Sequence, residues 1–409
     1  MMQHKDSKYS VGKIGIIGGC GHIGLPLAVA FCEKGFRVVA IDRDELAVEK
    51  VRTGSFPFFE ENSQGKLEYA LDTQRFSATS NISDIADCEI IIICVGTPVD
   101  EHLSPVPRIF LELIKEIKPF LSEGQLLVLR STIFPGTTRL LERQLSPFGV
   151  DVTFCPERIV QGKAFEEIYN LPHIVSGVSK QGIERASRLF ETLGVVVKGD
   201  IETAEFAKLF LNAYRYIQFA ATNEFFTIAN DANIDYSEVV RLMKTDYPRA
   251  EGLPSAGFSA GPCLVKDTLQ LVAYSQNRFA MGSAAFQVNE GLAQYVVKEI
   301  SREIDLSNSV IGLLGMAFKP GIDDIRSSLS YRVKKALILQ GAEVLCTDSH
   351  VVMDRTLLAL EEVIQRSDVL ILCTPQTDFK SSNFLGKPVV DIWNYLGNGN
   401  LISNAFEQK

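Results

Sequence analysis

The chain has 409 residues, 46% of them hydrophobic and 22% charged, with a formal net charge of −9. That length exceeds one ordinary core and predicts two to three domains. The negative balance excludes a general nucleic-acid binder, which needs a basic face. No apolar run approaches the ~18 residues needed to span a bilayer, so no membrane partner is expected. The polar stretch Met1 to Ser10 lacks the apolar segment of a signal peptide, and the expected location is the cytoplasm.

The first structured segment reads strand, glycine turn, helix, strand. Lys13 to Ile17 is a short β-branched run that leads into Gly19-Cys20-Gly21-His22-Ile23-Gly24, a helical Leu25 to Lys34, and the run Phe36 to Asp42. A lone G-x-G-x-x-G carries little. Here it follows a strand, opens a helix, and is answered by Asp42, 18 residues after Gly24. That context is a dinucleotide-binding fingerprint. The glycines let backbone approach a pyrophosphate at the helix N-terminus. Asp42 would accept from the adenosine ribose hydroxyls and favour NAD over NADP, with Arg43 beside it slightly weakening that preference. A glycine turn serving only packing is the alternative.

Further strands are predicted at Cys88 to Val95, Gln125 to Arg130, Val150 to Cys155, His173 to Gly177 and Val195 to Gly199. In a doubly wound sheet the loops after such strands form the ligand crevice. Thr97, Thr132 and Glu157 are therefore candidate contacts.

From Glu202 to about Asn233 the period becomes helical, with Phe206, Leu209, Phe210, Ala213 and Tyr214 on one face. Lys208 and Asn212, four apart, share another face, which reads equally as a solvated one. In Gly257-Phe258-Ser259-Ala260-Gly261-Pro262-Cys263-Leu264-Val265-Lys266-Asp267, the glycines and proline break regular structure. They place Cys263 where a loop turns into a helix beginning near Asp267. A thiol near a helix N-terminus and a lysine tends toward a usable thiolate; a buried, inert cysteine is the alternative. A second helix-rich stretch runs from Asp267 to Glu303. A central helical block of this kind suits dimerisation.

At Asn308 the α/β pattern restarts, with strands at Val310 to Leu314, Ala342 to Thr347, Asp368 to Cys373 and Pro388 to Ile392. It lacks a second G-x-G-x-x-G, so a different nucleotide-bearing ligand is expected there. The predicted architecture is an α/β chain: an N-terminal Rossmann domain (11–200), a central helical dimerisation block (201–304) and a smaller C-terminal Rossmann-like domain (305–409). The eight cysteines show no C-x-x-C pair and the five histidines no metal-ligand spacing, so reduced thiols and a metal-free site are expected.

Together these residues resemble the UDP-glucose/GDP-mannose dehydrogenase family, in order, from about Lys13 to about Asn394. The matching pieces are Gly19 to Pro26, Val95 to Pro98, Ser131 to Thr137, Pro156-Glu157, Ala204 to Lys208, Asn212, Asn223-Glu224, Cys263 to Asp267, Phe318-Lys319-Pro320 and Asp323 to Arg326. The resemblance implies a homodimer that oxidises the C6 hydroxyl of a UDP-sugar to the carboxylate, reducing two NAD, for polysaccharide precursor synthesis. It implies NAD contacts from Gly19, Gly21, His22, Ile23, Gly24, Asp42, Arg43, Thr97, Thr132, Lys266 and Arg326. Lys208 and Asn212 would donate to alkoxide character, Asp267 would orient the base or its water, and Cys263 would capture the aldehyde. Glu157 would activate the hydrolytic water. Substrate contacts would come from Glu157, Arg158, Lys208, Asn212, Phe258, Gly261, Phe318 and Lys319, with Arg249 reaching a neighbouring subunit's site. Pro262 and Gln161 depart from the UDP-glucose pattern, and the runs Gly261-Pro262-Cys263, Cys155-Pro156-Glu157-Arg158 and Val95 to Leu103 are more similar to the branch acting on UDP-N-acetylhexosamines, notably UDP-N-acetylmannosamine. UDP-glucose or GDP-mannose remain alternative substrates. A two-electron hydroxyacid-type dehydrogenase and a non-catalytic NAD sensor are the competing readings.

Overall fold

β1 (Lys13–Ile17) is the strand from which the first sheet grows in both directions. The chain runs outward through β2 (Val38–Ile41) and β3 (Phe76–Thr79). It then crosses back to β4 (Cys88–Ile93) and continues through β5 (Leu126–Leu129), β6 (Asp151–Phe154), β7 (His173–Gly177) and β8 (Val196–Lys198). The spatial order is β3-β2-β1-β4-β5-β6-β7-β8. Neighbours are parallel except β6 and β7, which run antiparallel. The reversal of order beside β1 is the switch point at which such sheets open a crevice. Described in this computed structural model are residues 12–100, 102–259 and 261–407.

Strands buried on both faces need continuous apolar runs, and Ile90-Ile91-Ile92-Ile93 is one. Alternation sends Ile90 and Ile92 into the core beneath the Gly24–Glu33 helix, and Ile91 and Ile93 into the core on the opposite face. The expected strands are present within a residue or two at each end. Missing from the sequence reading is β3. It is an edge strand of four residues with alternating burial, too short and polar to stand out.

The chain folds as two compact units that divide after Leu209. A helix of 31 residues, Ile201–Asp231, begins in the first. Its Glu205, 1% exposed, accepts from the backbone N–H of Gly136 (2.6 Å) and Thr138 (3.0 Å) and from the Thr138 hydroxyl (2.6 Å). It thereby caps the Thr137–Leu145 helix, whose N-cap Gly136 has no side chain to do so. Of the predicted apolar stripe, Leu209 and Ala213 are buried, whereas Phe210 and Tyr214 are 57% and 61% exposed.

In the second unit the helices Pro262–Tyr274 and Ala280–Glu303 precede a four-stranded parallel sheet. Its strands are β9 (Val310–Leu314), β10 (Glu343–Thr347), β11 (Val369–Leu372) and β12 (Val389–Val390), ordered β10-β9-β11-β12. Val296, Val297 and Ile300 of the second helix share one core with Ile311, Leu313, Leu329 and Val333. The cysteine helix starts earlier than its sequence suggests, at Pro262 rather than near Asp267. Proline at the first helical position gives up an N–H that would have no partner there, and Gly261 at φ +128° supplies the non-helical turn before it. Among the described residues no helix is long and apolar enough to cross a membrane.

Glu205→Ala should cost about 2 kcal/mol of stability, because it orphans one hydroxyl and two backbone donors at a helix start. Urea unfolding checks this; an unchanged midpoint would show the cap to be idle.

Candidate active site

The glycine turn divides its labour by sterics. A Cβ on Gly19 would meet Ala40 Cα and the Ile16 carbonyl oxygen, each at 2.6 Å, and one on Gly24 would lie 2.1 Å from the Gly18 oxygen. These two positions are closed by the protein itself. Gly21 is not: the nearest atom to its Cβ would be the Gly18 oxygen at 3.4 Å. The backbone there is open to a phosphate. The Gly24–Glu33 helix has Ile23 at its N-cap, no side-chain cap and no acid in its first turn, so its positive end is kept for an anion. Asp42, at the exit of β2, accepts from the backbone N–H of Cys20 and Asp44, both at 3.2 Å, which fixes its carboxylate beside the turn. These features fit NAD. Arg43 is exposed next to it. His22 stacks on Phe58 at 4.0 Å, and the Gln161 amide nitrogen lies 2.9 Å from His22 Nδ1.

The loops after β4 and β5 are stapled together. The Thr97 hydroxyl donates to the Thr132 carbonyl (2.7 Å) and the Ser131 hydroxyl to the Val95 carbonyl (2.7 Å). Glu157, three residues beyond β6, is 8% exposed. It forms an ion pair with Arg130 at 2.5 Å and accepts from the backbone N–H of Arg158 (2.6 Å) and Ile159 (2.9 Å). Burial pushes the Glu157 carboxyl up, but Arg130 and the two N–H donors outweigh it and hold the pKa below the ordinary carboxylate range. The carboxylate therefore contributes stability that is full above the unfolded pKa and is lost as pH falls through the lowered folded value. Arg158 donates to the Pro172 carbonyl.

Lys208, one turn beyond Glu205, is 9% exposed, and Asn212 is 6% exposed. The solvated-face reading of this pair does not hold. Within the second unit, the Asn212 Nδ2 donates to Asp267 Oδ2 (2.6 Å) and Lys266 Nζ to Asp267 Oδ1 (2.6 Å). A carboxylate only accepts, so this contact fixes which end of the Asn212 amide faces Asp267. Asp267 is fully buried, while the Lys266 side chain is 16% exposed. Burial alone would lower the Lys266 pKa; Asp267, then Cys263, hold it above its ordinary value.

Cys263 is the second residue of its helix and the one exposed cysteine of the eight. Six of the others are buried and Cys94 is half-buried. Burial pushes Cys20, Cys32, Cys94 and Cys155 up to about 12 and Cys88 and Cys346 up to about 11, and raises Cys373 as well. The loop before Cys263 is held by a chain of buried amides. The Gly257 N–H donates to Asn223 Oδ1 (2.9 Å), Asn223 Nδ2 to Asn289 Oδ1 (2.9 Å), and Asn289 Nδ2 to the Tyr216 carbonyl (3.1 Å). A Cβ on Gly257 would strike the Trp393 ring at 2.3 Å. Phe258 is 2% exposed and packs in the core of this unit.

The C-terminal sheet brings its own loop to the cysteine. A Cβ on Gly261 would lie 3.0 Å from the Phe318 ring, and Arg326, paired with Asp324 at 2.6 Å, feels the Cys263 charge. Lys319 is half-buried beside Phe318. Asp348 follows β10 as Asp42 follows β2, and accepts from Met316 N–H (2.7 Å) and Ala317 N–H (3.0 Å), but its side chain is fully enclosed. It has no face left for a ribose. Arg249 is exposed, its guanidinium 4.9 Å from the Tyr247 ring centre. Among the described residues no cluster of His, Cys, Asp or Glu could hold a metal ion.

Sequence reasoning missed Arg130, Asn289 and Trp393, which touch the site only through other residues. Arg130 and Asn289 offered only polarity, at a strand exit and within a helix, and Trp393 only its being the one tryptophan of the chain. Brief iodoacetamide treatment of the native protein at pH 8, followed by peptide mapping, should give one adduct, on Cys263; equal labelling of Cys94 would contradict the burial described. Asn289→Leu should leave the Asn223 amide without its acceptor, costing about 1–3 kcal/mol, and should slow Cys263 alkylation at a given pH by displacing its loop. A stable variant with unaltered alkylation would show that the relay does not position the thiol.

Three models of one family match the chain: the NAD binding domain of the UDP-glucose/GDP-mannose dehydrogenase family over residues 12–194, its central domain over 202–291, and its UDP binding domain over 312–398. The UDP-N-acetyl-D-mannosamine dehydrogenase of Pyrococcus horikoshii is 29% identical over 384 residues, which cover 90% of each chain. The Salmonella typhimurium protein of that name is 26% identical over 396 residues, covering 89% of this chain and 93% of its own. The solved structure of the Pyrococcus horikoshii protein superposes with a TM-score of 0.84 at 28% identity, covering 91% of each chain. That of the UDP-N-acetyl-mannosamine dehydrogenase of Staphylococcus aureus gives 0.81 at 26%, covering 90% of each. With a glycine turn shaped for NAD, a nucleotide-binding second sheet and matching models in the same order, the chain belongs to the UDP-glucose/GDP-mannose dehydrogenase family and is an NAD-dependent nucleotide-sugar dehydrogenase.

Proposed function

We propose that the protein oxidises C6 of a UDP-N-acetylhexosamine, UDP-N-acetylmannosamine first, from alcohol to carboxylate through a covalent intermediate on Cys263. The observation that carries this is the exposure of that one thiol, at a helix start, next to the Lys266–Asp267–Asn212 network. The choice of sugar is supported by the relatives that carry the name UDP-N-acetyl-D-mannosamine dehydrogenase.

NAD, when bound, takes up the hydride leaving C6 in each of two oxidations. Lys208 and Asn212 steady the alkoxide as the C6 hydroxyl gives up its proton. Asp267, enclosed as it is, acts by holding the Asn212 amide and the Lys266 cation rather than through a water of its own. The Cys263 sulfur then bonds to the aldehyde carbon, forming a thiohemiacetal and keeping the aldehyde from escaping. Loss of the second hydride leaves a thioester. Glu157, ionised, orients the water that breaks the C–S bond, releasing the carboxylate and returning the thiol. One alcohol, two NAD and one water give one carboxylate, two NADH and three protons. Lys319, Phe318 and Gly261 hold the nucleotide-sugar, with Arg158 and the Phe258 segment completing its surroundings.

The same reading has the enzyme act in the cytoplasm, where its eight free thiols stay reduced. It makes a precursor for polysaccharide synthesis as a homodimer. The exposed Phe210, Tyr214, Phe225 and Ile228 form one stripe on the long helix, and a second copy would cover it. Arg249 would serve the neighbouring subunit's substrate.

The test is NADH formed per sugar consumed, run to completion with UDP-N-acetylmannosamine, UDP-N-acetylglucosamine, UDP-glucose and GDP-mannose in parallel. Two NADH per sugar, fastest with UDP-N-acetylmannosamine, is expected. One NADH per sugar would remove Cys263 from its assigned role, and a faster UDP-glucose reaction would overturn the substrate.

A further inference from the structure

Arg130 has no part in the chemistry above, yet it is 2% exposed and among the largest fully buried side chains of the protein. A buried guanidinium is costly unless its donors are placed. Nη1 donates to the carbonyls of Cys155 (3.0 Å) and Pro156 (3.3 Å). Nη2 lies 2.5 Å from Glu157 Oε2 and 3.4 Å from His173 Nδ1, and the guanidinium sits 4.9 Å from the Phe190 ring centre. One side chain at the exit of β5 thus grips three successive residues at the exit of β6.

His173 holds it from behind. Guanidinium donates and never accepts, so His173 Nδ1 must carry a lone pair and the ring proton sits on Nε2. There it has its own acceptor, the Ile168 carbonyl at 3.0 Å. Burial, then Arg130, lower the His173 pKa to about 4, so the ring is neutral wherever the enzyme works. The charges acting on Glu157 are Arg130 from β5 and His173 from β7 when protonated, and its charge in turn raises the Cys94 thiol after β4.

We infer that Arg130, backed by neutral His173, is the positioning residue of Glu157, holding that carboxylate in place for the release of product from Cys263. This rests on the reading that Glu157 serves hydrolysis of the thioester.

Arg130→Lys keeps the charge but replaces a planar fork with a single point donor. It should lower kcat roughly ten- to a hundredfold, lower KM for UDP-sugar along with it so that kcat/KM changes little, since the slowed step follows covalent capture, and build up acyl adduct on Cys263 in rapid-quench mass spectra. It should also move the acid limb of kcat to higher pH, since a loosened ion pair lets the Glu157 pKa rise. His173→Phe leaves Arg130 in place but removes its acceptor, and should move the limb the same way by less. Wild-type limbs in both variants, with no acyl adduct, would overturn the inference. Glu157→Gln tells the two ideas apart. If it hydrolyses at the wild-type rate, the role of Glu157 falls and this inference with it. If it is slow while Arg130→Lys behaves as wild type, only the role of Arg130 falls.

Discussion

Burying a carboxylate is among the costliest things a fold can do, and Asp267 is buried completely. It is tolerable because each oxygen has its own donor: Lys266 from the preceding position on the same helix and Asn212 from the long central helix. The arrangement ties the helix that presents Cys263 to the helix that presents Asn212, at a fixed rotation of each. Slippage of either by one residue would leave a bare charge in the interior. That penalty makes the geometry around the thiol discrete rather than adjustable, as an attack at a single carbon requires.

Around this fixed point the second unit is organised by close approach. Gly257 lies under Trp393 with no room for a Cβ, and Gly261, at φ +128°, lies under Phe318, where a Cβ would come within 3.0 Å of the ring. The cysteine loop is thus clamped from the C-terminal sheet by two aromatic rings, and from the central helices by the Asn223–Asn289 relay. Small residues at 257 and 261 are therefore as much a part of the site as the thiol they precede.

The two sheets repeat one device and use it differently. In each, an acid after the second strand in chain order accepts from the turn that follows the first. Asp42 remains half-buried, able to receive a ribose, whereas Asp348 is enclosed with Gln376 lying 3.3 Å from its oxygens. The glycine turn and Asp42 were legible because their chemistry depends on spacing within about thirty residues of chain. The C-terminal sheet was legible from its apolar runs and its missing glycine pattern. Arg130 was not, since an arginine at a strand end ordinarily reaches solvent; only the parallel pairing of β5 with β6 places it under Glu157. The start of the cysteine helix was misplaced for a related reason. Gly-Pro reads as a turn, yet proline is at home in the first helical position once a glycine has made the bend before it.

A bond between the sugar carbon and Cys263 is the step on which the whole proposed reaction depends. The direct measurement is peptide mass mapping after rapid quench of enzyme with UDP-N-acetylmannosamine and excess NAD, with and without hydroxylamine. An acyl adduct is expected on the Cys263 peptide alone, present during turnover and removed by hydroxylamine as a thioester would be. Full turnover with an unmodified Cys263 peptide at every time point, and free aldehyde in solution, would contradict it.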